Sequence, residues 1–455
     1  MKIRFIKGSC VIIETAGLKI LCDPWLIDGG AYYGSWAADY PPLKFDSEKF
    51  SDIDYIYISH IHPDHLDPNT LKHFNKKIPI LIHKFQTQII RDTFYKNIEP
   101  LGFKIIELPH NQKYNLNDQV QINILVADGC DPSLCGKHFG CNPTTENDSS
   151  MQIDTLCVIN DSKYTIINTN DSPIELTKPK VLPQIKQQYK KIDFLLHGYT
   201  MAGHYPQCTV SLTKNEMLKE AERVMKLNYE RCMGYIRYLN PDFYMPFAGR
   251  YLLSGKLSQL NNFTANFPPI HAKKYLEENY EKELKNMKCV VLNTFEYFDL
   301  EKKEQSKKYK EYDKKELNDY IERTLSKTKF SYENDDMPIK EKMYSLFEKS
   351  YKRMNTNRQL MGFETDTDVY IKLFNNELLY ISMNGNGFSI VQKNHPEKND
   401  KYILMDLDFK LLYRILLGPK YAHWSNADVG SHIKYIKKPN IFERGIYRSM
   451  YFFYS

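Results

Sequence analysis

Short apolar runs separated by polar turns fill the first 300 residues. IRFI (3–6), CVIIET (10–15), KILCD (19–23), YIYIS (55–59), IPILIH (78–83), KIIEL (104–108) and VQINILVA (120–127) have the length and β-branched content of strands. LCVIN (156–160), YTIINTN (164–170), FLLHG (194–198) and FYMPF (243–247) continue the series. Helical spacing falls between them at 69–74, 86–95 and 214–239, the last long and amphipathic. Strands with helices inserted at intervals predict an α+β class with at least two sheets. The pattern breaks at 301–335, where lysines and acids alternate with few apolar positions. Interleaved charge of this kind reads as a solvated connector. Beyond it, 343–354 has helical spacing, 368–374 and 378–383 read as strands, and Asn384-Gly385-Asn386-Gly387 turns into FSIVQ (388–392) as a hairpin does. Residues 404–417 read as a helix stopped by Gly418-Pro419. The expected organisation is a domain over 1–300, a charged connector over 301–335 and a small α+β domain over 336–455.

Composition narrows the class. The chain has 455 residues, 42% hydrophobic, more than one core usually serves. A formal charge of +6 is too small an excess to point to nucleic acid. No apolar run approaches the roughly 20 residues of a membrane span, and MKIRFIKGSC lacks a signal-peptide core. A soluble, cytoplasmic protein is expected. Nine cysteines, several inside apparent strands, read as reduced core residues rather than a disulfide framework.

The chemistry concentrates in one place. The strand YIYIS ends in Ser59-His60-Ile61-His62-Pro63-Asp64-His65-Leu66-Asp67. His60 and His62 are two apart and project to one side of an extended segment. Pro63 bends the chain so that Asp64 and His65 swing toward a second position. Imidazole and carboxylate at this spacing suit one or two divalent metal ions, zinc or alternatively iron or manganese. Cys130, Cys135, His138 and Cys141 offer the donors of a Cys3His zinc knot, though without the usual tight C-x2-C pair. The alternative reading is a loop beside the main site, with the cysteines packed or free.

With Asp23-Pro24-Trp25-Leu26 at the end of the third strand, the H-x-H-x-D-H motif resembles the metallo-β-lactamase superfamily. That resemblance implies an αββα sandwich with a metal site at one edge of two facing sheets. Gly8-Ser9-Cys10, Gly34-Ser35-Trp36, Pro41-Pro42, Asn168-x-Asn170-Asp171, Pro246-Phe247-Ala248-Gly249 and His423-Trp424-Ser425-Asn426-Ala427 are similar to a narrower branch. It is the branch containing the metallo-β-lactamase-like part of CMP-N-acetylneuraminate hydroxylase. The resemblance assigns His60, His62, Asp64 and His65 as ligands and Asp171 as the bridging carboxylate. Where the superfamily has its next histidine this chain has Asp128, favoured over the earlier His110. No histidine stands at Pro246–Gly249, so His197 or His204 either substitutes or contacts substrate.

The leading expectation is a metal-dependent hydrolase that turns metal-activated water on an ester, amide or phosphodiester, with Asp64 orienting water and passing a proton. The branch implies a nucleotide-sugar-type small molecule as substrate, which Arg250 is placed to meet. The alternative is an iron-dependent oxygenase acting on a nucleotide sugar. The chain lacks the paired C-x-H and C-x2-H of a Rieske centre, so that reading needs a separate electron donor. A third reading, a binding or structural role for a decayed metal fold, conflicts with the intact motif. The segment 423–432 reads either as a lid or homodimer element over the site, or as the closing piece of the C-terminal core.

Overall fold

The computed structural model describes residues 1–85, 87–126, 153–398 and 400–455. Two large mixed sheets dominate its first 300 residues. The first runs Glu304–Gln305, Tyr297–Asp299, Lys2–Lys7, Cys10–Thr15, Leu18–Cys22, Tyr55–Tyr57, Ile80–His83 and Ile105–Leu108, antiparallel up to Leu18–Cys22 and parallel from there. The second runs Lys288–Cys289, Phe243–Pro246, Phe194–His197, Thr165–Asn168, Thr155–Asn160, Gln121–Val126 and Lys113–Asn115.

The alternation of side chains along these strands decides the layers. Val11, Ile13, Ile20 and Tyr57 point inward and meet Ile122, Ile124, Cys157 and Phe194 of the facing sheet. Their neighbours Ile12, Leu21 and Ile56 point outward against Phe94 and Ile98 of the helix Gln88–Ile98. On the far side, Leu156, Ile167 and Leu195 are covered by helices Ile174–Gln188 and Lys214–Leu239. Helix, sheet, sheet, helix is the expected αββα sandwich. Cys10, Cys22, Cys157, Cys208, Cys232 and Cys289 are buried free thiols.

The helix Ile174–Gln188 has no counterpart in the sequence reading, because Pro179 and Pro183 interrupt its pattern. Burial of Leu176, Val181, Leu182 and Ile185 outweighs the two missing backbone donors.

A five-stranded sheet fills the C-terminal part, in the order Phe388–Gln392, Glu377–Ile381, Asp368–Lys372, Tyr402–Asp406, Lys434–Lys438. The expected helix over 404–417 is a strand until Asp406. Ile403 and Met405 alternate inward in parallel pairing with Asp368–Lys372, and only after the Asp408 cap does the helix Phe409–Leu416 begin. This sheet shares its core with the N-terminal part: Trp25, Tyr32, Trp36 and Tyr251 pack with Trp424, Tyr435 and Ile433. In the charged segment, helix Lys314–Arg323 lays Leu317, Tyr320 and Ile321 on Ala37 and Leu252. Phe330 and Tyr332 are buried in the shared core. Among the described residues no helix is long and apolar enough to cross a membrane.

Candidate metal centre

The strand Tyr55–Tyr57 lies between two parallel neighbours, so its C-terminal end faces the sheet edge where loops gather. Ile58 and Ser59 carry the chain to His60, which is fully buried. After Pro63 the backbone makes a single helical turn. The His62 carbonyl accepts from His65 N at 3.0 Å and from Leu66 N at 2.8 Å, which brings His65 back over His60. Their rings lie 4.0 Å apart. Asp67 then caps the next short helix, accepting from Asn69 N and Thr70 N.

Two further carboxylates reach the cluster from the second sheet. Asp171 follows Thr165–Asn168, after Asn170 turns with φ 45°. Gly198 packs against that turn, where a Cβ would sit 2.8 Å from the Asn170 carbonyl. Asp154 immediately precedes Thr155–Asn160. Thr155 ties the sheets together under the site, its Oγ1 donating to the Ser59 carbonyl and sharing a hydrogen bond with the Tyr57 hydroxyl, both at 2.7 Å.

The donor atoms form two trios, His60, His65, Asp171 and His60, His62, Asp154, each with its atoms within 4.8 Å of one another. His60 Nε2 is 3.7 Å from Asp154 Oδ1 and 3.9 Å from Asp171 Oδ2. His65 Nε2 is 3.5 Å from Asp171 Oδ2 and 3.6 Å from Asp64 Oδ2. His60 Nε2 and His62 Nδ1 share a hydrogen bond of 2.9 Å.

Electrostatics separates the three histidines. Burial, reinforced by His65 and His62, pushes His60 well below its ordinary range. Burial also lowers His62, against the pull of Asp64 and Asp171. Burial acts on His65 too, but Asp171, Asp64 and Asp23 together outweigh it and raise it well above the usual imidazole range. Asp171 is pushed up by burial and down by His65 and His62, and the histidines win. His60 and His62, held neutral by burial, join His65 and three converging carboxylates in a donor set that among the described residues is nitrogen and oxygen, which fits zinc, iron or manganese.

A second ring of contacts orients these groups. Asp23, fully buried, accepts from Ser59 N and Ser59 Oγ at 2.7 Å and from His65 Nδ1 at 3.0 Å. Tyr32 donates to Asp64 Oδ1 at 2.8 Å. Tyr32 is buried in a turn with φ 47°.

Asp128, Cys130, Cys135, His138 and Cys141 are outside the described residues. His110 accepts from Val126 N through Nδ1 and meets Gln184 through Nε2. His197 ends the strand Phe194–His197 and belongs to neither trio, its pKa lowered to about 4 by burial. His204 is paired with Asp428 at 2.7 Å, between the rings of Tyr435 and Tyr447. Arg250 pairs with Asp39, Nε to Oδ1 at 3.1 Å. Trp424 is in the shared core, and His432 Nε2 donates to the Tyr32 carbonyl at 2.8 Å.

Asp154 was not singled out by the sequence reading, and Asp23 was named only within the Asp23-Pro24-Trp25-Leu26 motif, without a role. The signal for Asp154 was the antiparallel pairing: Thr155 sits opposite Val126, so the residue before Thr155 reaches the sheet edge toward which the strand before Asp128 runs. Residues 2–166 match the family described as the beta-lactamase superfamily domain. The chain is 27% identical over 255 residues to the cytidine monophosphate-N-acetylneuraminic acid hydroxylase of Danio rerio, covering 54% of this chain and 38% of that protein. It is 26% identical over 253 residues to a Mycolicibacterium smegmatis protein named for a Rieske 2Fe-2S centre, covering 55% and 43%. The chain thus spans less than half the length of these relatives. Among solved structures it is similar to an isothiocyanate hydrolase from Delia radicum gut bacteria, with TM-score 0.42 and 15% identity over 66% of this chain and 99% of that one. It is also similar to the diiron β-hydroxylase CmlA of Streptomyces venezuelae, with TM-score 0.39 and 16% identity over 64% and 53%.

Proposed function

We propose that this chain is a metal-dependent hydrolase acting on an ester, amide or phosphodiester of a nucleotide-sugar-type small molecule. The observation that carries the reading is the pair of donor trios sharing His60 at the mouth of the two sheets. His60, His62 and Asp154 would hold one divalent cation and His65 with Asp171 a second. When bound, such cations supply Lewis-acid activation of water near neutral pH and stabilise developing negative charge.

The chain's own residues do the rest. Asp23 and Ser59 fix the ring of His65, so that Nε2 faces Asp171 and Asp64. Tyr32 pins one oxygen of Asp64 and leaves Oδ2 toward the cluster, the atom from which a proton passes to the leaving group. Asp64 serves as this proton carrier rather than as a member of either trio.

One observation favours a second reading. The relatives named above are a hydroxylase and a protein named for a Rieske centre, which supports an iron-dependent oxygenase fed by a separate electron donor. The test is metal content of protein purified without added metal, with turnover of bis-p-nitrophenyl phosphate and p-nitrophenyl acetate. Bound zinc with hydrolysis that disappears in His62→Ala and Asp154→Asn supports the hydrolase. Iron with oxygen consumption and no hydrolysis overturns it in favour of the oxygenase. Full metal content and turnover in both variants removes the site itself.

A further inference from the structure

A cavity of about 770 Å³ lies between the first strand, the turn after Phe243–Pro246 and the segment 307–316. None of the candidate metal donors lines it. Its floor is charged and its walls are aromatic: Lys7, Asp39 and Arg250 below, Tyr199, Tyr309 and Tyr312 around them. Rim charges neutralise one another, Glu296 with Lys307 and Glu311 with Lys274.

Arg250 is the unusual group. It is only 6% exposed, and its guanidinium lies over the Tyr312 ring at 4.7 Å. Its Nε faces Asp39, but the buried Nη1 has no hydrogen-bond acceptor among the described residues. Lys7 is 3% exposed and donates to the Pro41 carbonyl. Burial lowers Lys7 to about 8, against the pull of Asp39 and Asp28. The floor therefore holds two buried cations for one lining carboxylate, with Asp28 behind it on the Lys7 side. A buried guanidinium N–H without an acceptor is a costly arrangement. A planar fork with one open arm matches an oxyanion arriving from outside. A volume of this size with few polar groups and several rings matches a small organic ligand.

We infer that this cavity is a ligand site distinct from the metal cluster, taking an oxyanion (carboxylate or phosphate monoester) carried on an aromatic body. Arg250 anchors the anion, and Tyr309 and Tyr312 stack on the ring. The inference goes beyond the hydrolase reading and does not depend on it.

The experiment is calorimetry and saturation-transfer NMR on the full chain, stripped of metal and freed of chelator. The probes are phenyl phosphate, benzoate, inorganic phosphate and the neutral benzyl alcohol. The expected result is binding of at least one aromatic anion and none of the alcohol, with the preferred anion identifying carboxylate or phosphate as the natural group. Arg250→Gln should weaken that binding tenfold or more, on the order of one lost charged hydrogen bond. Tyr309→Ala, a half-buried wall residue whose loss the fold tolerates better, should weaken the aromatic anion and leave inorganic phosphate unchanged. His62→Ala should leave all of it unchanged. No binding, equal binding of the alcohol, insensitivity to both cavity variants, or equal loss in His62→Ala each overturns the inference.

Discussion

Asp23→Asn tests the link between fold and metal centre most sharply, because it changes charge without changing volume. Asp23 is fully buried and accepts three hydrogen bonds, two from Ser59 and one from His65 Nδ1. Asparagine keeps an oxygen for Ser59 N, but its NH2 accepts from neither the Ser59 hydroxyl nor His65 Nδ1, which both bond Oδ2 in the parent. The charge on all three bonds is lost and one buried donor is stranded, costing about 3 kcal/mol of apo-protein stability. The effect on metal follows from the imidazole tautomer. In the metal-free protein the surrounding carboxylates keep His65 protonated, with Nε2 toward Asp171; a bound metal ion would replace the Nε2 proton, while Asp23 holds the other on Nδ1. Asparagine can present its NH2 to Nδ1, which moves the proton to Nε2 and blocks the ligand atom. Zinc affinity should fall about 10- to 100-fold, the usual effect of removing such an orienting partner. Urea denaturation of the apo protein reads the first effect, and competition against a chromophoric chelator reads the second. A variant that unfolds earlier but binds zinc as tightly as the parent would refute the tautomer argument, and one unchanged in both would refute the geometry around Asp23.

Tyr32→Phe removes the hydroxyl that pins Asp64, so turnover should fall while bound metal, measured by atomic emission, stays at the parent level; this bond to a charged acceptor is worth about 1.5–3 kcal/mol. Gly249→Ala places a Cβ 2.2 Å from Thr200 Oγ1 at φ 108°, breaking the Thr200 bond to the Gly249 carbonyl. Its cost, about 2–4 kcal/mol, should appear as a lowered melting temperature. Lys437 is 5% exposed and burial lowers its pKa from 10.5 to about 8. A base held below its unfolded value binds fewer protons folded than unfolded between those limits, so stability rises with pH across that window. The shift corresponds to about 3 kcal/mol. Lys437→Met should flatten that slope, and an unchanged slope in denaturation midpoints from pH 7 to pH 10 would show that other groups cause it. Asp428 gives the same sign of slope at the acid end. Burial raises it, but His204, Tyr435 and Lys437 bring it below the ordinary carboxylate value. Its contribution is present above the unfolded pKa and is lost as pH falls through the folded one, and Asp428→Asn should remove that acid-side loss from a denaturation series extended below the ordinary carboxylate pKa of 3.8.

The sandwich was legible because its strands alternate. Val11 and Ile13 face one layer and Ile12 the other, so the apolar runs of five or six residues are strands buried on both faces. The centre was half legible for a related reason. His60, His62, Asp64 and His65 are contiguous, and a local turn suffices to gather them. Asp154 and Asp23 lie about 90 and 40 positions away and join the cluster only through sheet pairing and the facing of two sheets, which no local pattern encodes. The helix with Pro179 and Pro183 and the strand Tyr402–Asp406 were misread for one physical reason. Burial against a neighbouring sheet overrode the local signal in each.

The remaining sequence puzzle was the C-terminal part, whose histidines and tryptophan suggested either a lid or a self-contained core. The contacts join the alternatives. Trp424 fills the core of the five-stranded sheet, yet that core continues into Trp25, Tyr32 and Trp36 of the N-terminal part. His432 donates to the Tyr32 carbonyl, the Tyr33 hydroxyl meets His423, and Ser331 N donates to the Tyr33 carbonyl. Tyr32 and Tyr33 both have positive φ without being glycine, a conformation that persists only where surrounding contacts hold it. Those contacts come from the loops of the C-terminal part around His423 and His432 and from the charged segment before it. The same strained turn aims the Tyr32 hydroxyl at Asp64. Among the described residues the C-terminal part contributes no donor to either candidate trio: it supplies packing around the turn that holds one tyrosine against Asp64.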